Sequence, residues 1–285
     1  MPRASSNPRP WRRAERVATI LDHLDAVGSI SVPELADMFG VSLATVRRDL
    51  QLLEEQKLLE RTHGGAVAVD VAHELPVRYR SGNTAQKRDI ARVAVSRVPM
   101  GAVVGLNGGS TTLEVARQLA VRESLSVVTN ALNIAAELAL KPKFKVVVPG
   151  GVARPQSYEL VGLWSDQALR VLNVGVAIVG VDGVDCVGGI TTHDEVEAQT
   201  NAALLSRARR VIVVADSSKF GRVQLARIAG IAEVDEIITD AQADPTEVER
   251  LRAAGATVTI APPARGASRG LTAVRTDDEE RGELA

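Results

Sequence analysis

Between positions 11 and 67 apolar residues recur with helical spacing, whereas beyond position 86 they come in short consecutive runs separated by helical repeats. Val17, Ile20, Leu21 and Leu24 stand at i, i+3, i+4 and i+7, which gives a first helix one apolar face. Gly28 and Ser29 end it. Ser31-Val32-Pro33-Glu34 then reads as a capping box opening a second helix that buries Leu35, Ala36 and Phe39. Gly40 suits a helix C-terminus with positive φ, and Ser42 can cap a third helix running from about Leu43 to Gln56. On that helix Val46, Leu50 and Leu53 share one face. Ala44, Arg48 and Gln51 lie opposite, flanked by Thr45 and Arg47. Two short extended pieces around Gly64-Gly65 would then form a β-wing.

The apolar runs of the larger region are Val103–Leu106, Ser126–Thr129, Lys145–Val148, Val174–Val179, Arg210–Ala215, Glu236–Thr239 and Thr257–Ala261. Consecutive rather than alternating apolar positions predict strands covered on both faces. Helical patterns at Thr112–Leu119, Asn133–Leu140 and Glu195–Arg207 fall between them, which predicts a mostly parallel sheet flanked by helices. The fold class is therefore α/β: a small N-terminal winged helix-turn-helix domain over 11–67, a linker over 68–85, and a larger mostly parallel α/β domain over 86–262. The Gly-, Arg- and acid-rich tail, 263–285, is expected to be disordered. Strand order is not legible in this pattern.

Composition changes this picture little. Aromatics are 2% of the chain, so the core must be aliphatic, and the single Cys186 excludes an internal disulfide framework and a cysteine-rich zinc site. No metal site and no cofactor are expected. No apolar stretch approaches a membrane span, which predicts a soluble, cytoplasmic protein. Net charge is −1, so any case for nucleic acid rests on where the arginines sit and not on their number.

The third helix carries that case. Ala44 permits close approach to a major groove, Ser42 and Thr45 offer hydroxyls, and Arg47 or Arg48 can reach guanine or phosphate. Arg61 and His63 in the wing are phosphate candidates. Asp49 is expected to orient Arg47 or Arg48, or to serve the packing of the helix.

In the larger domain, Leu106-Asn107-Gly108-Gly109-Ser110-Thr111-Thr112 leads from a strand into a helix. Glycines, free helix-start amides and three hydroxyls are chemistry for a phosphate, without the spacing of a Walker A loop or a dinucleotide fingerprint. A purely structural strand–helix turn is the alternative reading. Thr129-Asn130, Gly150-Gly151, Asp182-Gly183-Val184-Asp185 and Asp216-Ser217-Ser218-Lys219 also follow strands, where open α/β sheets bind ligands. His193 is expected to be a loop residue and not a general base.

The runs Val41-Ser42-Leu43-Ala44-Thr45-Val46-Arg47-Arg48-Asp49-Leu50, Leu53-Glu54 and Arg61-Thr62-His63-Gly64-Gly65-Ala66 resemble the signature of the DeoR family of regulators, and the similarity reaches about Thr239. The resemblance implies that the third helix reads double-stranded operator DNA. It also implies a repressor of a carbohydrate-metabolism operon, controlled by a phosphorylated sugar and assembled as a homodimer or homotetramer. The family's effector domain is similar to ribose-5-phosphate isomerase. That implies a phosphate loop at Asn107–Thr112, an acidic motif at Asp182 and Asp185, an acid beyond the glycines at Glu195 with Glu197 as competitor, and Lys219 as a point charge. Asn107 stands where many members carry Asp. The isomerase's lysine before the glycine run is absent, since Cys186-Val187 precede Gly188, so retained binding with lost catalysis is expected. An active isomerase with an accessory helical domain, and a constitutive DNA binder whose α/β part only oligomerises, are the competing readings.

Overall fold

The computed structural model describes residues 11–55, 59–62, 64–67, 84–122 and 125–264. His63, linker positions 68–83 and the tail from 265 lie outside the described residues.

The N-terminal part runs α1 (Arg13–Val27), β1 (Ser29–Ser31), α2 (Val32–Phe39), α3 (Leu43–Glu55), β2 (Glu60–Arg61) and β3 (Gly65–Val67). Gly28 and Gly40 take φ of 84° and 63°, which ends α1 and α2 in the left-handed conformation that glycine adopts without strain. The capping box forms at Ser31 and Glu34. The Ser42 hydroxyl accepts from the Thr45 amide at 3.2 Å and opens α3. Ile20, Leu21, Leu35, Leu50, Leu53 and Leu59 are fully buried in one aliphatic core. The wing is a sheet in the order β1-β3-β2, antiparallel throughout, so Ser29–Ser31 is a strand as well as a helix lead-in. Gly65 is required there, because a β-carbon would overlap the Ile30 carbonyl.

The larger part begins with α4 (Thr84–Ser96), β4 (Val103–Leu106), α5 (Ser110–Leu119), β5 (Leu125–Thr129), α6 (Leu132–Ala139) and β6 (Phe144–Val147). A hairpin of β7 (Val152–Ala153) and β8 (Leu160–Val161) leads to α7 (Leu163–Arg170) and β9 (Val176–Gly180). Next come β10 (Gly183–Asp185), β11 (Gly189–Thr192), α8 (Glu195–Leu205), β12 (Val211–Val214), β13 (Ala226–Ala229), β14 (Glu236–Asp240), α9 (Pro245–Ala253) and β15 (Val258–Ala261).

The seven apolar runs become one parallel sheet in the order β15-β14-β12-β9-β4-β5-β6. Alternate residues serve opposite faces. Val176 and Ile178 pack with α4, α5 and α6, whereas Ala177 and Val179 pack with α7, α8 and α9. The chain starts at β4, winds outward through β5 and β6, then returns to the other side of β4 and winds outward again. The strand order therefore reverses between β4 and β9, and the carboxyl ends of these neighbours flank the crevice where doubly wound sheets bind ligands.

At the opposite end of the sheet Glu236 is buried and ion-paired with Arg97 at 3.1 Å and Arg210 at 2.6 Å, and accepts from Thr259 at 2.7 Å. Burial pushes its carboxyl up, but the bonds from Arg97 and Thr259 and the two positive charges outweigh this and leave it below the ordinary carboxylate value. A group depressed in the folded state adds stability that is complete above the unfolded pKa and is lost as pH falls through the folded one. Glu236→Gln should accordingly melt below the wild type at neutral pH, with the gap closing as pH drops beneath the carboxylate range. A gap independent of pH in a thermal melt series would refute the assignment.

Candidate DNA interface and ligand site

On α3, Val46, Asp49, Leu50 and Leu53 face the core, while Ala44, Arg47, Arg48 and Gln51 are exposed along one side. Among the described residues no carboxylate pairs with Arg47 or Arg48, so both guanidinium groups project toward solvent from the start of a capped helix. Thr45 is half-buried and its hydroxyl lies 2.9 Å from that of Ser42, so both serve the helix start. Asp49 does not orient either arginine of its own helix. It is 2% exposed and accepts from Arg16 Nε at 2.7 Å, with Arg16 Nη2 also at 2.7 Å and Arg13 Nε at 3.4 Å. Of the two expectations for Asp49, packing is the one realised: one turn after Thr45 its side chain points back onto α1. Arg61 rests against Glu54 at 3.4 Å in a half-exposed pair, a contact weak enough for a phosphate to replace.

At the switch point Asn107 joins the two central strands. Its Nδ2 donates to the Gly180 carbonyl at 2.9 Å and its Oδ1 accepts from the Gly180 amide at 2.8 Å. This side chain fixes the crevice floor and does not reach into it. Gly109 precedes α5 with φ 132° and no side chain caps the helix. The first-turn amides of Ser110, Thr111 and Thr112 thus have no carbonyl to bond within the helix. Thr112 turns its hydroxyl back to the Gly109 carbonyl at 3.0 Å and is fully buried, and Thr111 is buried too, which leaves the half-buried Ser110 as the accessible hydroxyl of the loop. Helices α6 and α7, starting after Ala131 and Gly162, likewise lack side-chain caps, whereas Asp194 and Asp244 cap α8 and α9.

A buried acidic cluster closes the crevice. Glu159, immediately before β8, accepts from the Gly108 amide at 2.5 Å and from Asn130 Nδ2 at 3.1 Å. Burial, reinforced by the charge of Glu197, holds the Glu159 carboxyl well above the ordinary range despite these bonds. Glu197 accepts from Thr192 at 2.7 Å and pairs with Arg154 at 3.1 Å, yet burial, with the nearby Asp182, leaves it raised as well. Asp182 in turn accepts from Thr192 at 3.2 Å and has Lys219 Nζ at 3.6 Å and His193 Nε2 at 3.9 Å. Arg154 also reaches Asp194 at 3.2 Å, clamping the β7–β8 hairpin to the start of α8.

The expected ligand residues divide on this map. Gly108, Gly109, Ser110, Asn130, Asp182 and Lys219 converge on the crevice. Thr129 is buried with its hydroxyl accepting from the Ala131 amide at 3.1 Å, so it shapes the α6 turn. Gly151 takes φ 146° and a β-carbon there would press on Val161, so its role is to let the hairpin close. Asp185 lies elsewhere: its carboxylate accepts from Gly188 at 2.7 Å and Val187 at 2.8 Å, closes the β10–β11 turn and is lowered by those two amides. Glu195 is exposed and Glu197 is the buried acid. The phase is set by Asp194, whose side chain accepts from the Val196 and Glu197 amides and turns the second acid of α8 inward. Glu159, Arg154 and Asn201 were absent from the expectation.

A winged helix-turn-helix followed by a doubly wound domain with a polar crevice at its switch point defines a DNA-binding transcriptional regulator with a ligand-sensing domain. The chain belongs to the DeoR family: residues 16–72 match the DeoR-like helix-turn-helix domain and residues 82–241 the DeoR C terminal sensor domain. It is 36% identical to the putative aga operon transcriptional repressor of Escherichia coli O157:H7, over 90% of this chain and 97% of that protein. It is 32% identical to the glycerol-3-phosphate regulon repressor of Escherichia coli K12, over 81% of this chain and 92% of that one. A solved structure of ribose 5-phosphate isomerase A from Methanocaldococcus jannaschii is 21% identical, covers 47% of this chain and 52% of its own, and superposes with a TM-score of 0.34.

Proposed function

We propose that this regulator represses an operon of carbohydrate metabolism and that a phosphorylated sugar, bound at the carboxyl ends of β4 and β9, controls it. The observation that carries the reading is the uncapped start of α5 beside a buried polar cluster at the switch point. The relatives named as repressors of the aga operon and of the glycerol-3-phosphate regulon support the same direction. Lys219, beside Asp182, and Arg154, paired with Glu197, place positive charge at this cluster. The protein works as a homodimer or homotetramer in the cytoplasm, its recognition helices spaced to enter successive major grooves of a two-fold operator. The effector alters that spacing. Among the described residues no helix is long and apolar enough to cross a membrane, and no cluster of potential ligands would hold a metal ion.

The test is fluorescence anisotropy of the full chain on DNA from its own upstream region, with a panel of sugar phosphates. Specific binding released or tightened by one compound supports the reading; binding indifferent to all of them removes the sensor assignment. In the same assay Arg48→Ala should weaken specific binding about 10- to 100-fold, the loss of one base or phosphate contact worth about 1–3 kcal/mol. Stability should not change, because the side chain is exposed. Unchanged affinity would overturn α3 as the recognition helix.

A second reading, aldose–ketose phosphate isomerisation, gains one observation: Lys219 stands beside Asp182, in part replacing the cation missing before Gly188. The regulator reading is preferred because Glu197, the acid placed to act as base, is engaged by Thr192 and Arg154. Turnover of ribose 5-phosphate that disappears in Asp182→Asn would reverse that preference.

A further inference from the structure

Glu159 sits on the loop that an anion would use. Its carboxyl takes the Gly108 amide at the uncapped entry to α5 and the Asn130 amide at the uncapped entry to α6. Asn130 Oδ1 is buried without a hydrogen-bond partner, and Asn201, also buried, lies beside the same carboxyl. Two buried carboxamides thus face one carboxyl and the Asn130 oxygen is left unmet, an arrangement suited to a ligand that replaces the carboxyl.

We propose that Glu159 is an internal occupant of the effector's anion subsite, so that the phosphate group of the ligand binds by displacing this carboxyl from the Gly108 amide. The proposal rests on the reading of residues 107–112 as the phosphate cradle. It makes Glu159 a specificity-determining residue. Burial disfavours the charged form of the Glu159 carboxyl, so a phosphate dianion matches the positive ends of α5 and α6 better than this side chain does, whereas a sugar without phosphate does not.

The segment that carries Glu159 is built to move. Tyr158, immediately before it, has φ of 60°, the only positive φ outside glycine among the described residues. A bulky side chain in the left-handed region is strained, and such strain persists only while neighbouring contacts hold it. Freed from Gly108, the turn between β7 and β8 can relax, and Arg154 on the same turn carries the change to Glu197 and Asp194 at the start of α8. The hairpin also runs directly into α7.

The test is calorimetric titration of the full-length protein with inorganic phosphate, for wild type, Glu159→Ala, Glu159→Gln and Ser110→Glu, with circular dichroism as a check on folding. Glu159→Ala should bind phosphate about tenfold or more tightly than wild type, the worth of one charge-assisted hydrogen bond no longer competed for. Glu159→Gln keeps the shape of the side chain and cannot ionise when displaced, so it should move in the same direction by less, which covers the case of a misfolded alanine variant. Ser110→Glu places a carboxylate over the cradle at a helix position that favours acids, and should abolish binding in every background. Binding lost in Ser110→Glu but unchanged or weaker in both Glu159 variants would overturn the displacement and keep the cradle. Phosphate binding that survives Ser110→Glu, or no binding by the wild type and by both Glu159 variants alike, would overturn the cradle and the proposal together.

Discussion

Asp49→Ala is expected to unfold the DNA-binding part of the protein while leaving Arg47 and Arg48 chemically untouched. Asp49 is buried on α3 and shares its carboxylate between Arg16 and Arg13 of α1. Arg16 is itself buried at 8% exposure, and its remaining donor reaches the Trp11 carbonyl at 3.0 Å. Such a pair need not stabilise more than an apolar one would, because both charges were taken out of water to make it. Breaking it is a different matter. A guanidinium left buried without its anion typically costs about 3–5 kcal/mol, and a domain this small has about 5 kcal/mol or little more to lose. A melt followed by circular dichroism should therefore lose the N-terminal helices well below the wild-type temperature, and specific DNA binding should vanish with them. Asp49→Asn, which keeps the shape and loses the charge, should fall between. A variant that melts like the wild type would show that α1 and α3 are held by their aliphatic core alone.

Gly108→Val should abolish the response to effector while leaving DNA binding in place. Even a single β-carbon at Gly108 would lie 2.7 Å from Cγ and Oε1 of Glu159 and 2.8 Å from the Ser157 carbonyl. The glutamate can swing away, but the Ser157 carbonyl is backbone, so the whole β7–β8 turn must retreat from the loop. Overpacking of this kind typically costs about 1–3 kcal/mol. It also separates the two walls of the crevice, so phosphate affinity should fall by about 100-fold, the worth of two lost contacts. The N-terminal part has a hydrophobic core of its own, and operator affinity in the anisotropy assay should stay within a factor of about two. Retained effector response in this variant would place the ligand away from residues 107–112.

The strands of the main sheet were legible because each is buried on both faces, and that condition writes itself as an unbroken apolar run, as in Val211–Val214. The helix-turn-helix was legible for a complementary reason: Ser31 with Glu34, Gly40 and Ser42 act within a few residues of their own position. The β7–β8 hairpin left no such trace. Strands as short as Val152–Ala153 have no period to detect, and their pairing depends on the positive φ of Gly151 more than on any apolar pattern. Glu159 was hidden with the hairpin that carries it. The choice between Glu195 and Glu197 was open for another reason. Two acids two residues apart at a helix start differ only in phase, and the phase comes from the side chain of Asp194 meeting the amides of α8.

What the sequence determined by itself was therefore local: the caps, the apolar faces, the exposed Arg47 and Arg48, and the existence of the seven strands. Only the tertiary structure decided the strand order, and with it the switch point that brings Asn107 against Gly180. Only the tertiary structure turned Asp49 toward α1 rather than toward its neighbours in sequence, and set Glu159 on the Gly108 amide 51 residues away. The division has one physical cause. Backbone geometry and helix capping are settled by atoms a few bonds apart, whereas a buried charge takes whichever partner the packing of distant segments leaves within reach.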